Sequence, residues 1–196
     1  GVDGLLVITP YYNKTNAEGL LMHFKAINDA VKTPIILYNV PSRTNMNITP
    51  ETLLKLSELN NVIAIKEASG DMSQVARMKA LCGDKIDIYS GNDDQIIPIL
   101  SLGGIGVISV AANIIPKTVH DMCDLYLKGD CFKATKLQLD YLELMNNLFI
   151  ETNPIPVKTA MNVIGMNVGE LRLPLYKMND KNKETLVNTL KKYNLF

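Results

Sequence analysis

Residues 61–70 read NVIAIKEASG, and in them the apolar residues Val62, Ile63, Ala64 and Ile65 run directly into Lys66. An ammonium group on a buried strand is costly unless it is paired, reaches water or gives up its proton. A lysine that gives up its proton is an amine nucleophile. It attacks a ketone to form a Schiff base, whose iminium draws electrons from the adjacent carbon and eases removal of a proton there. The ends of the other apolar runs hold groups that suit this chemistry. Tyr38, in LYNVPSRT, is a phenol that can shuttle protons, and Arg43 in the same stretch can grip a carboxylate in a bidentate fork. Thr9, Tyr11, Tyr12 and Asn13 follow the first run. Ser90, Gly91, Asn92 and Asp93 follow the fourth, and Ser109 and Asn113 the fifth. The set has no serine or cysteine nucleophile beside a histidine and no cluster of metal ligands. Each residue also has an ordinary role open to it: Lys66 reaching water along its stem, Tyr38 packing at a rim, Tyr11 and Tyr12 as surface or interface aromatics, Arg43 in a surface ion pair, Gly91 in a turn.

The elements that must position these groups are legible from hydropathy. Five short runs, residues 4–9, 35–40, 62–67, 86–90 and 105–110, are near-continuously apolar, as expected of strands covered on both faces. Helical patterns separate them. Thr15 and Glu18 have the spacing of a capping box, Thr49-Pro50 an N-cap with proline at the first helical position, and Asp71 and Gly83 bound a further helix. Residues 93–102 read as the next helix. Strands and helices alternate at roughly 20–30 residues per unit, which predicts parallel βαβ units. After residue 110 only helices are predicted, over 116–127, 131–149, 154–164 and 181–193. Five parallel units fit either an open flavodoxin-like sheet or part of a barrel, whose full form needs about 250 residues. The chain opens at Gly1 directly into a strand, which favours the barrel reading and a piece of a longer protein.

The whole-chain properties bound the function. The 196 residues are 47% apolar, enough for one sizeable core with a helical addition. Twenty basic and 20 acidic residues are mixed without a basic stripe, so nucleic acid is not an expected partner. Cys82, Cys123 and Cys131 are odd in number with no CxxC, which predicts reduced thiols and a cytoplasmic location. His23 and His120 are read as ordinary helix residues. Residues 96–116 carry no charge and have a bilayer-spanning length, but Pro98, Gly103, Gly104, Gly106 and Asn113 break them into a helix, a turn and a strand. No membrane span is predicted.

Taken together, GVDGLLVITPYYNK, ILYNVPSRT, VIAIKEASGD, YSGND, GIGVISV and FIETNPIPVKTAM resemble the dihydrodipicolinate synthase family, in order and along the whole chain. The resemblance implies an α/β fold, with the C-terminal five βα units of a (β/α)8 TIM barrel over residues 1–129 and a C-terminal helical domain over 130–196. It implies condensation of pyruvate with L-aspartate 4-semialdehyde in diaminopimelate and lysine biosynthesis, through a Schiff base and without metal or organic cofactor, in a homodimer or homotetramer. It casts Lys66 as the Schiff-base lysine, Tyr38 as the proton donor and acceptor, and Tyr12 as a relay tyrosine lent to the adjacent subunit. Arg43 would receive the semialdehyde carboxylate, Ile108 and Gly91 would line the pyruvate pocket, and Tyr11 would be the interface tyrosine near the inhibitor lysine. Asn45 stands where the family's YNVPSRTG has glycine, and the family's threonine pair belongs to strands that this chain does not include. Three other readings stand beside this one. A sibling 2-oxo-acid aldolase such as N-acetylneuraminate lyase would share the lysine and tyrosine chemistry. A truncated remnant would fold without turning over. A phospho-receiver module would need acidic residues where the first strand ends in TPYYN.

Overall fold

The computed structural model describes all residues 1–196. They form two compact units, residues 1–108 and 109–196. In the first, strands β1 (Leu5–Ile8), β2 (Ile35–Asn39), β3 (Val62–Glu67), β4 (Asp87–Ser90) and β5 (Gly106–Val107) make one sheet in the order β1-β2-β3-β4-β5. Every neighbouring pair is parallel. An open doubly wound sheet reverses its strand order at a switch point; this one never does, so it is a stretch of barrel wall and not a flavodoxin-like sheet.

Between the strands run α1 (Ala17–Ala30), the one-turn α2 (Pro41–Thr44), α3 (Pro50–Leu56), α4 (Met72–Cys82) and α5 (Ile96–Ser101). The core lies between helices and sheet. Leu20 and Phe24 of α1, Leu53 and Leu56 of α3, Val75 and Met78 of α4 and Ile99 of α5 pack with Ile35, Leu37, Ile65 and Ile88 of the strands, all at most 1% exposed. Removing that apolar area from water is the main force holding the unit. The opposite face of the sheet is more open. In β2, fully buried residues alternate with partly exposed ones, and Leu6 of β1 is 46% exposed. The expectation of strands covered on both faces therefore does not hold for the whole sheet: even in the central β3, Ile63 is 46% exposed and Lys66 partly exposed.

Several local expectations change in detail. The cap of α1 is Asn16, whose side chain accepts from the Gly19 N–H at 2.9 Å, and not Thr15. Residues 93–95 form a 3-10 turn before α5. The fifth strand keeps only two residues of the predicted six, since Val110 already takes helical angles ahead of the 3-10 turn Ala111–Asn113. Asn45 adopts φ 53°, the left-handed conformation that glycine or asparagine tolerates best, and its N–H donates to the Pro41 carbonyl at 2.8 Å.

The second unit is helical: α6 (Pro116–Leu127), α7 (Cys131–Asp140), α8 (Leu142–Asn147), α9 (Ile155–Val163) and α10 (Asp180–Lys192). The single helix predicted over 131–149 breaks at Tyr141, which stacks on Tyr193 with ring centroids 5.0 Å apart. Because α6 packs against α7, the compact units divide after Ile108, whereas the sequence boundary falls after Gly129. No helix is long and apolar enough to cross a membrane.

Candidate active site

Side chains alternate faces along a strand, and registered neighbours in a sheet share a face. The register pairs Ile8 with Tyr38, Tyr38 with Lys66, Lys66 with Tyr89, and Tyr89 with Gly106. These residues form a row near the carboxyl ends of the strands, on the face turned away from the helices. Lys66 Nζ lies 4.3 Å from the centroid of the Tyr38 ring. Gly106 leaves room for the Tyr89 ring, whose atoms would lie 3.3 Å from an added Cβ.

The electrostatics favour a reactive amine. Burial pulls the Lys66 pKa below the ordinary lysine range; Asp93 opposes that shift and the Arg43 charge adds to it. Burial raises the Tyr38 phenol above its usual value, with Arg43 again acting the other way. Arg43, in the one-turn α2, thus bears on both Lys66 and Tyr38. That turn is braced by the buried Thr44 hydroxyl, which contacts the Val40 carbonyl at 3.2 Å and the Met46 carbonyl and N–H at 3.1 Å.

Gly91 follows β4, and its N–H donates to the Glu67 carbonyl at 2.7 Å. A Cβ there would meet Ala68 Cβ at 2.6 Å, so the glycine is required for close approach of the two strand ends and not for a turn conformation. The Ile108 N–H donates to the Ser90 carbonyl at 2.9 Å, which carries β5 past the row. Lys66, Tyr38, Arg43, Gly91 and Ile108 are thus drawn to one rim. Tyr11 and Tyr12 are not gathered into it; they stand at the surface after β1, 65% and 90% exposed.

Three features gain their meaning only from the structure: Tyr89, which the sequence reading did not single out, and Asp93 and a polar row, whose members it took only as polar groups at strand ends. Tyr89 flanks Lys66 opposite Tyr38; the alternation of strand faces would have shown it once the register was known. Asp93, 2% exposed, acts on Lys66. The third is a buried polar row behind the reactive one, Thr9, Asn39, Glu67 and Ser90, all at most 1% exposed. A cavity of about 540 Å³ in this unit lies at the opposite strand ends, lined by Glu58, Ile63, Asp84, Lys85 and Asp87 among others.

A rim of this kind on a sequential parallel wall defines the chain as part of a TIM-barrel protein. Comparison with known proteins narrows the class. The model of the dihydrodipicolinate synthetase family matches residues 1–193. The 4-hydroxy-tetrahydrodipicolinate synthase of Clostridium novyi is 69% identical over 99% of this chain and 66% of its own length. The crystal structure of dihydrodipicolinate synthase from Aquifex aeolicus superposes with a TM-score of 0.97 at 44% identity, covering 100% of this chain and 67% of that one. The chloride-inhibited dihydrodipicolinate synthase of Acinetobacter baumannii, complexed with pyruvate, gives 0.97 at 40% identity over 100% and 67%. The chain belongs to the dihydrodipicolinate synthetase family. It spans about two thirds of the length of the curated relatives it matches.

Proposed function

We propose that the protein containing this chain condenses pyruvate with L-aspartate 4-semialdehyde to 4-hydroxy-tetrahydrodipicolinate. The placement of the Lys66 amine against the Tyr38 ring, in surroundings that favour its neutral form, carries this reading. The neutral amine adds to the ketone carbon of pyruvate, and loss of water leaves an iminium. The iminium acidifies the methyl carbon; its proton leaves, and the resulting enamine carbon attacks the aldehyde and regenerates the iminium. The amino group of the semialdehyde then adds to the iminium carbon, closing the ring and expelling the Lys66 amine. Tyr38 moves protons to and from the reacting oxygens. Arg43 holds the carboxylate of the incoming aldehyde. Gly91 and Ile108 line the pyruvate side of the rim through their backbone. Tyr12, exposed in this chain, serves the site of an adjacent copy in a homodimer or homotetramer, and Tyr11 belongs to that same interface. No organic cofactor or metal is assigned a role, and the protein works in the cytoplasm. In the whole protein, residues 1–129 belong to the barrel and 130–196 to the helical domain.

The test is capture of the intermediate. The chain is incubated with pyruvate, reduced with borohydride and mapped by mass spectrometry, with the Clostridium novyi relative as control. A reduced adduct on the Lys66 peptide is expected. An adduct on another lysine overturns the assignment. A labelled relative beside an unlabelled chain shows that these residues alone do not capture pyruvate.

A further inference from the structure

Behind the reactive row, Asn39 and Glu67 are registered neighbours that follow Tyr38 and Lys66 by one residue each. They face the helices, 0% and 1% exposed. The Asn39 Nδ2 donates to Glu67 Oε2 at 2.9 Å, and the Ser69 N–H donates to Glu67 Oε1 at 2.6 Å. Asn39 Oδ1 accepts from the Ile48 N–H at 2.9 Å, and Asn39 Nδ2 also donates to Asn47 Oδ1 at 2.9 Å. Asn47 and the Gln74 side chain of α4 exchange bonds of 2.7 and 3.1 Å. The backbone continues the tie: the Ala68 N–H donates to the Asn39 carbonyl at 2.9 Å.

Donor and acceptor roles here are not free to change. Backbone N–H groups at Ile48 and Ser69 can only donate, so Asn39 must present its oxygen to Ile48 and its amino group to Glu67. Glu67 must therefore accept at both oxygens. Burying such a carboxyl is costly and requires full pairing, and burial does raise its pKa, with the Ser69 and Asn39 donors acting against that rise. A core that needed only packing would be served more cheaply by apolar residues of this volume.

We propose that Asn39 and Glu67 are a positioning couple for the active site: they lock the end of β3 to β2 and to the turn at 46–48, and so hold the Lys66 amine against Tyr38 and the Arg43 turn at a set place on the rim. The positioning role rests on the proposed Schiff-base chemistry for its purpose, but its geometry can be tested apart from pyruvate.

The experiment inverts the polarity of the couple. Glu67→Gln leaves one of the two donors, the Asn39 amino group or the Ser69 N–H, facing an amide donor. Asn39→Asp sets two carboxyl groups 2.9 Å apart. The double variant Asn39→Asp with Glu67→Gln restores one donor facing one acceptor, with the Asn47 and Gln74 side-chain amides turned over together so that Asn47 donates to the carboxylate placed at position 39. Two readouts are followed beside thermal melting: the pH midpoint of Lys66 acetylation by trace acetic anhydride, and the rate of borohydride trapping with pyruvate. In each single variant the strand end loosens, water reaches Lys66, and the acetylation midpoint rises toward the ordinary lysine value. Trapping slows by roughly tenfold to a hundredfold. In the double variant both return toward the unsubstituted chain. Single variants that leave the midpoint unmoved overturn the proposal. So does a double variant that stays with the singles in midpoint or in folding. If neither the unsubstituted chain nor the Clostridium novyi relative shows a pyruvate adduct, the Schiff-base reading fails; if only the relative is labelled, the reading stands. In both cases the acetylation midpoints still decide the positioning role.

Discussion

At the scale of single residues, the buried charge of Lys66 costs stability, and the proposed Schiff-base role gives that cost a purpose. Its folded pKa is depressed by burial, so the folded state disfavours the proton that the unfolded chain keeps. Between the lowered folded value and the ordinary lysine value the unfolded chain binds more protons, and stability rises with pH across that window; below it, the full cost of the buried charge remains. Lys66→Met removes the charge and keeps an unbranched stem. It is expected to melt at a higher temperature than the unsubstituted chain at neutral pH and to take up no pyruvate adduct. The difference in melting temperature should shrink as the pH is raised into the alkaline range. A variant that melts lower at every pH would show instead that the Lys66 contact with Tyr38 stabilises the fold.

At the scale of elements, the strand ends are held by close backbone approach. Gly91 lets β4 come within hydrogen-bonding distance of the Glu67 carbonyl, at 2.7 Å, with no space for a methyl group above Ala68. Gly91→Ala is therefore expected to destabilise by about 1–3 kcal/mol, the cost of overpacking a fitted site, and to lower the melting temperature by several degrees. Unchanged melting would mean that the strand ends can separate freely. The same scale shows where sequence patterns were sufficient. Near-continuous apolar runs and Pro or Asp signals located every strand and the starts of α3 and α4, because local hydrogen bonding and burial set those boundaries. The cap at Asn16, the break at Tyr141 and the shortness of β5 escaped. The cap is a local bond to the Gly19 N–H in competition with Thr15 one residue earlier, and β5 ends in a local 3-10 turn; the break at Tyr141 carries a contact distant in sequence, its ring stacked on Tyr193.

At the scale of the whole molecule, the sheet ends at β1 on one side and at β5 on the other. Unpaired strand edges open more readily than paired ones. Hydrogen exchange is expected to be fastest in β1 and β5 and slowest in β3, which is paired on both sides. Edges as protected as β3 would show that they pair with another copy. The sequence by itself determined the alternation of strands and helices, the apolar composition of the core and, through the motifs around Lys66, the family; these follow from local propensity, burial periodicity and the order of residues in the chain. Only the tertiary structure decided that the strands run in sequential order, that Tyr38 and Tyr89 flank Lys66, and that Asn39 and Glu67 pair behind it. Strand order and register are set by long-range packing and pairing, and a one-residue slip would turn every one of these side chains to the other face of the sheet.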